Sequence, residues 1–193
     1  MPWEKQFDQN HALELAMEAF WSGGYEGTSM TELLDSMGIQ KGSFYATYGS
    51  KHQVLIDALE NYVSDRFSRF EALLDEPSPR TALEKHLRMI AADACGSGRD
   101  LGCFVVNMAI EQSPKDDVIR SFVLKTFERH EGLYRRLLES AKSKGEVAAA
   151  LDPRSVARGL LSLVIGMRVL ARAGVKPGMI ESIRDQALKM LND

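Results

Sequence analysis

The chain has 193 residues, a formal net charge of −3 and 45% apolar residues. This length suits one or two small domains with a proper core, and the apolar content argues against disorder. No apolar run approaches the ~20 residues that a membrane span needs, and the N-terminus lacks the basic and apolar pattern of a signal peptide, so we expect a cytoplasmic protein.

The N-terminal quarter of the chain predicts three short helices. The first is an amphipathic helix from about residue 8 to residue 22. Thr28 and Ser29, which are residue types that cap a helix start, precede the second helix. Gly38 accepts the left-handed backbone that ends a helix. A third helix follows from about Lys41 to Tyr48, and this order is typical of a helix-turn-helix, whose second helix lies in the DNA major groove.

The remaining sequence predicts six further helices and no β pattern. Apolar residues at helical spacing, separated by breaks rich in Pro, Gly and Ser, place these helices at about 51–74, 81–94, 103–112, 116–144, 153–173 and 177–191. We therefore expect an all-α fold of about nine helices. Its expected parts are an N-terminal three-helix unit at residues 1–52 and a C-terminal helical domain at residues 53–193.

A motif string in the N-terminal part carries a family resemblance. It consists of Ala-Leu-Glu-Leu-Ala-Met-Glu-Ala-Phe at 12–20, followed by Gly24-Tyr25, Thr28, Met37-Gly38-Ile39, Lys41-Gly42-Ser43-Phe44-Tyr45, Tyr48 and Ser50-Lys51. In order, spacing and residue type, the string resembles the TetR/AcrR family of one-component transcriptional regulators. The resemblance implies an N-terminal DNA-binding domain and a C-terminal effector-binding and dimerisation domain. It also implies a homodimer that binds a near-palindromic operator, usually represses a nearby gene, and is released when a small molecule enters the C-terminal domain.

One face of the third helix is predicted to read DNA. On a helical wheel Phe44 and Tyr48 fall together, towards the first two helices, so the other side chains point away from the core. Ser43 can exchange a hydrogen bond with a base edge, the Ala46 methyl suits a thymine methyl, and Gln40 can pair with adenine. The full set of predicted DNA contacts is Thr28, Gln40, Lys41, Gly42, Ser43, Tyr45, Ala46, Thr47 and Lys51.

The expected phosphate contacts favour DNA binding, whereas the net charge of this region opposes it. The resemblance implies that Tyr45, Lys51 and Thr28 contact phosphates, and Thr28 is also expected to cap the second helix. Residues 1–52 nevertheless hold three lysines against seven carboxylates, a net charge of −4. Few cations imply few phosphate ion pairs and a weak dependence of binding on salt. The alternative function is therefore a helical ligand-binding or scaffold protein whose DNA affinity is weak or lost.

An effector pocket is expected among the later helices. Asn107, Glu111 and His130 are polar residues within apolar helical stretches, and Met108 and Tyr134 are candidate walls. A pocket needs an apolar lining with a few convergent polar groups, and the supply of Phe, Met and Leu suggests an apolar or aromatic effector. The alternative is that Asn107 and Glu111 are solvated or capping groups.

Cys103 is the remaining pocket candidate. It lies in Leu-Gly-Cys-Phe-Val-Val-Asn-Met at 101–108, which resembles the sixth-helix region of family members that carry a cysteine there, some of which sense electrophiles or oxidants. A thiol at a helix N-terminus can have a lowered pKa and react as a thiolate. The alternative is a small buried hydrophobic residue. The effector is therefore expected to be apolar or electrophilic.

The last two helices are expected to form a four-helix interface with a second copy of the chain. The helix at 153–173 is apolar almost all round, and such a helix must be buried on two sides. Gly159 and Gly166 lie on one stripe that permits close helix approach. The predicted interface residues are Leu160, Leu163, Gly166, Met167, Leu170, Ile180, Ile183 and Ala187.

Catalytic and metal sites are not evident in the sequence. The two cysteines show neither metal-type pairing nor a disulfide framework, and the four histidines have no metal-ligand spacing. No phosphate loop or nucleophile elbow is present. We therefore expect no cofactor, no metal and no enzymatic activity. The predicted partners are a double-stranded DNA operator, a small-molecule effector and a second copy of the chain, with no membrane.

Overall fold

The computed structural model describes residues 7–192. Within this range it contains nine α-helices, two 3-10 turns at Ala72–Asp75 and Arg99–Leu101, and no β-strand. The helices are α1 Gln9–Gly23, α2 Met30–Met37, α3 Lys41–Tyr48, α4 Lys51–Glu71, α5 Pro79–Cys95, α6 Phe104–Glu111, α7 Asp117–Ser143, α8 Pro153–Arg172 and α9 Pro177–Lys189. The all-α prediction is confirmed. No helix in the described range is both long and apolar enough to cross a membrane.

The ends of α2 follow the predicted signals with one exception. Gly38 adopts φ 64° and ψ 29°, the left-handed conformation that ends the helix. The residue that caps its start is Ser29, not Thr28. Ser29 Oγ accepts the Glu32 N–H at 3.2 Å, and the Glu32 carboxylate accepts the Ser29 N–H at 2.7 Å. This reciprocal pair is a capping box, and the N-cap residue contributes about 1 kcal/mol to the stability of the helix. The Thr28 hydroxyl instead donates to the Gly24 carbonyl at 2.7 Å, and Thr28 is only 5% exposed.

The N-terminal helices share their core with α6 and the first turns of α7. Fully buried members of this core are Phe20, Leu33, Phe44, Leu55, Phe104, Met108 and Ile119. Burial of one such side chain contributes on the order of 1.5–3 kcal/mol, so the helix-turn-helix unit is stabilised by packing onto α6 and α7. Any movement of α6 therefore changes the surroundings of the N-terminal unit directly.

A second core lies among α5, α7, α8 and α9. It includes Leu83, Leu87, Leu138, Leu160 and Met167, all fully buried. α4 runs through both cores, because Leu55 and Leu59 pack in the first and Phe67 and Phe70 in the second. The sequence-based division at residue 52 stays a prediction; it falls at the start of this shared helix.

Half of the predicted interface residues lie inside the chain's own second core. Four of them are at most 1% exposed: Leu160, Met167, Ile180 and Ala187. The interface prediction is wrong for these four, because a side chain enclosed by its own chain is not available to a partner. The other four predicted interface residues are partly exposed: Leu163, Gly166, Leu170 and Ile183. The close approach expected at Gly159 occurs within the chain, since a Cβ there would come within 2.5 Å of Met190 Cε.

Candidate functional site

α3 presents one face to the core and the other to solvent. Phe44 is fully buried and Tyr48 is 9% exposed. The Tyr48 hydroxyl donates to the Gln9 carbonyl at 3.0 Å, which fixes α3 against α1 as the helical wheel predicts. Tyr45 is 45% exposed on the other side. The remaining predicted contacts from this element are also exposed, apart from the half-buried Thr47: Gln40, Lys41, Gly42, Ser43 and Ala46.

Gly42 has no role that the fold itself requires. Its φ is not positive, and a Cβ built on it would meet nothing within 4 Å. A glycine inside a helix costs about 1 kcal/mol relative to alanine. A residue that weakens α3 and fills no space inside the chain leaves the backbone accessible from outside, which suits the close approach of a partner.

Lys51 is already engaged within the chain. Its ammonium donates to the Tyr25 carbonyl at 2.6 Å and lies 4.3 Å from the centre of the Tyr25 ring. Burial raises the pKa of the Tyr25 hydroxyl. The contact ties the first turn of α4 to the loop between α1 and α2. An ammonium has three donors, so the predicted phosphate contact of Lys51 uses those that Tyr25 leaves free.

Glu111, at the end of α6, connects the two halves of the chain. Its carboxylate accepts the Tyr25 N–H at 3.2 Å and the Glu26 N–H at 2.8 Å. Gly24, at φ 77°, lies against the same carboxylate, because a Cβ on it would come 3.1 Å from Oε2. The structure thus places Glu111 on the loop that leads into α2, outside the cavity that its prediction as a pocket residue implied.

A second link joins α4 to α7. His52 Nε2 lies 2.6 Å from Asp116 Oδ2, and Asp116 is the N-cap residue of α7. The pKa of the Asp116 carboxyl lies below its usual value, chiefly because the carboxylate accepts the backbone N–H of Ile119. Hydrogen bonds from His52 and from the N–H of Val118 lower this pKa further. The ionised carboxylate therefore accepts from both α7 and α4 at neutral pH.

A cavity of about 90 Å³ lies between α4, α5, α6, α7 and α8. Two predicted pocket residues, Cys103 and His130, line it. Met108 does not, because it is fully buried in the N-terminal core. Tyr134 is fully buried behind His130, with their rings 4.8 Å apart. Apolar wall residues include Val63, Phe67, Phe70, Ile90, Val106, Phe127, Leu161, Val164 and Ile165.

The other predicted pocket residues lie on a separate surface groove. Asn107 and Glu111 line it, and Asn107 Nδ2 donates to the Leu101 carbonyl at 2.9 Å. Cys103, the N-cap residue of α6, lines both the groove and the cavity, as does Arg168. The predicted pocket is therefore divided between a cavity, a groove and two cores, with Cys103 at the boundary of the first two.

An arginine cluster at the cavity was not anticipated from the sequence. Asp93 Oδ2 accepts from Arg66 at 3.1 Å and from Arg168 at 3.3 Å, and Arg69 lies 3.7 Å from Oδ1. Arg168 is only 9% exposed. Arg168 is the one charged residue in the apolar run at 160–171, and this was the available signal, because an arginine is seldom buried without a partner. Its partner Asp93 comes from α5, whose pairing with α8 the sequence does not show.

Two histidines pack together beside this cluster. His86 Nε2 lies 3.3 Å from His130 Nε2, and the Phe70 ring stacks on His86 with centroids 3.7 Å apart. Burial lowers the pKa of His130 to about 4, and Arg168 adds to the effect. Burial, then the nearby His130 and Arg168, lower the pKa of His86 as well. Both rings are therefore neutral at pH 7, so one Nε2 donates and the other accepts.

The helix-turn-helix unit packed onto a helical domain defines the class of helix-turn-helix transcriptional regulators, and comparison with known proteins agrees. Residues 12–58 match the family model for bacterial regulatory proteins of the tetR family, and residues 81–187 match the model for the tetracyclin repressor-like C-terminal domain. The chain belongs to the TetR family, whose members are transcriptional regulators and not enzymes. Within residues 7–192, no group of three or more His, Cys, Asp or Glu side chains is placed to hold a metal ion.

Individual relatives cover nearly the whole chain. The HTH-type transcriptional repressor ComR of Escherichia coli K12 is 29% identical over 189 residues, which is 96% of this chain and 90% of ComR. The HTH-type regulator YezE of Bacillus subtilis 168 is 29% identical over 194 residues, 97% of this chain and 98% of YezE. A cysteine mutant of the TetR family regulator CifR, solved with 26-base-pair operator DNA, superimposes with a TM-score of 0.86 at 29% identity, covering 95% of this chain and 97% of that one.

Proposed function

We propose that this protein is an effector-responsive repressor that binds a palindromic operator as a homodimer in the cytoplasm. The observation that carries the proposal is the exposed face of α3, which is fixed to the core by Phe44 and Tyr48 on its opposite side. CifR, which is similar along the whole chain, was solved on its operator. This similarity supports a DNA-facing role for the same surface here.

Side chains on α3 divide into base-reading and phosphate-binding groups. Ser43 and Ala46 reach base edges, and Gln40 pairs with adenine at the start of the helix. Tyr45, Lys41, Thr47 and Lys51 hold phosphates, which sets the register without reading sequence. Gly42 lets the backbone approach the duplex. Thr28 is left out of this set, because its side chain is buried and donates to Gly24.

Dimerisation uses the surface that α8 and α9 leave free. Leu163, Gly166, Leu170 and Ile183 are partly exposed there, and a Cβ on Gly166 would meet nothing within 4 Å. Val169 and Met179 are large apolar side chains, 42% and 51% exposed, on the same two helices. Two copies joined this way place their α3 helices in successive major grooves, roughly 34–36 Å apart, so the operator is an inverted repeat.

Effector release acts through α6. An apolar or electrophilic small molecule in the cavity contacts the start of α6 at Cys103, while the end of the same helix holds the α1–α2 loop through Glu111. Since α6 also contributes Phe104 and Met108 to the N-terminal core, a ligand that moves α6 changes the orientation of α3.

Selection from a pool of random duplex DNA tests the proposal. The wild-type protein should enrich an inverted repeat, and Gly42→Glu should abolish enrichment because it blocks the approach of the backbone and repels phosphate. Glu60→Ala, an exposed change on α4, is the matched control and should enrich the same repeat. No enrichment by the wild type at low salt would overturn the proposal and favour a ligand-binding or scaffold protein without useful DNA affinity.

A further inference from the structure

We propose that the effector is an organic anion, a carboxylate with a short apolar body, whose carboxylate binds Arg168 and Arg66 at one end of the cavity. The inference rests on the proposed function in one respect, that the cavity among α4 to α8 is the effector site. It replaces the apolar or electrophilic effector expected from the sequence with a small anionic one.

The charge of the cavity lining is unbalanced. Arg66, Arg69 and Arg168 contribute three positive charges, and Asp93 is the one carboxylate among the described residues that line the cavity. Asp65 lies 4.0 Å from Arg66 Nε, but its side chain is 66% exposed and belongs to the outer surface. The side chain of Arg168 is 10% exposed, whereas those of Arg66 and Arg69 are 33% and 41% exposed. A buried charge is expensive unless it is paired. The buried guanidinium of Arg168, which shares one carboxylate with two partly exposed arginines, therefore favours a bound anion.

Two polar atoms at this end of the cavity are buried without a hydrogen-bond partner within residues 7–192. They are Arg66 Nε and the Nδ1 of His86, a residue that is only 3% exposed. Arg168 makes one side-chain hydrogen bond within residues 7–192, to Asp93 at 3.3 Å. A guanidinium carries five N–H donors in a planar fork that matches a carboxylate. Most of the donors of Arg168 are thus free for a ligand.

The neighbouring histidines respond to the same positive potential. Beyond burial, Arg168 lowers the pKa of His130 and of His86. Both rings stay neutral, and the ring that accepts at Nε2 carries its one N–H on Nδ1, where it can donate without a second charge. A potential that disfavours a further proton favours a ligand with the opposite charge.

The rest of the cavity determines the body of the ligand. Its walls are apolar side chains such as Phe67, Val106 and Leu161. Its volume of about 90 Å³ is smaller than the ~150 Å³ engineered cavity that binds benzene in another protein. A carboxylate with a few carbon atoms fits this space. Inorganic phosphate, which has no apolar part, leaves the apolar walls without contacts.

Calorimetric titration of the full-length protein without DNA tests the charge of the ligand. The probes are propionate and butyrate, each compared with its amide, and inorganic phosphate. At least one carboxylate should bind at least tenfold more tightly than its amide and than phosphate. Equal binding of acid and amide, binding of phosphate alone, or no binding by any carboxylate would overturn the inference.

Three variants test the site, and their expected effects on carboxylate affinity differ in sign. Arg168→Met should weaken carboxylate binding at least tenfold, and Arg66→Met should do so if Arg168→Met does not fold, as judged by circular dichroism. Asp93→Asn should tighten binding, because it removes the internal carboxylate that competes for the same donors. Arg135→Met, an exposed change on α7, should leave binding unchanged. Unaltered affinity in the folded Arg168 and Arg66 variants would overturn the assignment.

Failure of the carboxylate inference can be distinguished from failure of the proposed function. Binding is measured without DNA, and DNA selection is done without ligand. An enriched inverted repeat together with no carboxylate binding would overturn the inference alone. Carboxylate binding that leaves operator affinity unchanged would overturn the role of the anion as effector, and failure to enrich any DNA would overturn only the proposed function.

Discussion

Glu111 accepts the backbone N–H of Tyr25 at 3.2 Å, across 86 positions of sequence. Its other carboxylate oxygen accepts the N–H of Glu26 at 2.8 Å. The side chain belongs to the helix that begins at the cavity, and the two N–H groups belong to the loop that enters the helix-turn-helix. This contact is a direct hydrogen-bonded link from the helix that begins at the cavity to the loop that leads into α2.

Removal of this carboxylate should loosen the loop. Glu111→Ala is expected to lower the free energy of unfolding by about 1–2 kcal/mol, since two hydrogen bonds to a charged acceptor are lost. Amide hydrogen exchange at Tyr25 and Glu26 should accelerate at least tenfold, and Glu111→Gln, which keeps one acceptor, should fall between. Glu181→Ala on the exposed surface of α9 is the control. Unchanged exchange at both amides would show that the loop does not depend on α6.

Substitutions on α3 should separate affinity from sequence preference. Tyr45→Phe removes one phosphate-binding hydroxyl per protomer and should weaken binding roughly tenfold for all sequences alike. Ser43→Ala should instead change which base is preferred in each half-site. Both are measured by selection from random DNA followed by anisotropy titration. A base preference altered by Tyr45→Phe, with none altered by Ser43→Ala, would contradict the assigned roles.

The number of lysines near α3 should limit how steeply DNA binding depends on salt. Three lysines lie within residues 1–52 of each protomer, hence six in a dimer. The slope of log affinity against log salt is about −0.9 for each neutralised phosphate, so it should be no steeper than about −5. Lys41→Gln should reduce it by about 2 for the dimer. A much steeper slope in a potassium chloride series would mean that basic residues outside this region contact the operator.

Acid should destabilise the protein through His130. Its folded pKa, about 4, is below the unfolded value near 6.5, so the folded state binds fewer protons. Its contribution to stability is complete above about pH 6.5 and is lost as the pH falls towards 4. Between pH 7.5 and pH 5 the loss is on the order of 2 kcal/mol.

Urea unfolding at the two pH values measures this effect. His130→Gln should reduce the difference in free energy of unfolding between pH 7.5 and pH 5 by most of that amount. His11→Gln, whose side chain is 67% exposed in the wild type, should leave the difference unchanged. An equal acid loss in wild type and His130→Gln would contradict a neutral, buried His130.

An adduct on Cys103 should act as an artificial effector. The thiol lies between the cavity and the surface groove, so carbamidomethylation by iodoacetamide adds uncharged bulk there. Operator affinity should fall in Cys95→Ser, which keeps Cys103, and stay unchanged in Cys103→Ser, which keeps the half-buried Cys95. Mass spectrometry confirms the labelled site. Full labelling of Cys103 without loss of DNA binding would show that this position is not coupled to α3.

Local sequence signals predicted the helix-turn-helix almost to the residue. Gly38, the buried pair Phe44 and Tyr48, and the exposed Tyr45 all follow from spacing and residue type. Thr28 was misjudged because two neighbouring residues were both suitable caps. Only the hydrogen bond between Ser29 and Glu32 decides between them.

Contacts between helices that are distant in the sequence could not be predicted from it. Asn107 and Glu111 share a helix with Cys103, yet the crossing of α6 over the α1–α2 loop directs Glu111 away from the cavity. Arg168 and Asp93 are 75 positions apart, and no local pattern pairs them. The interface prediction failed at Leu160 and Met167 for a similar reason, since helical spacing shows an apolar face but not whether α9 or a partner covers it.

The most direct measurement of the central claim is hydroxyl-radical footprinting of the protein on its selected operator, combined with native mass spectrometry of the complex. The account predicts two protomers for each duplex and two protected regions one helical turn, or a multiple of it, apart. The Tyr45→Phe variant should weaken both regions equally. A stable monomer with a single protected region would contradict it.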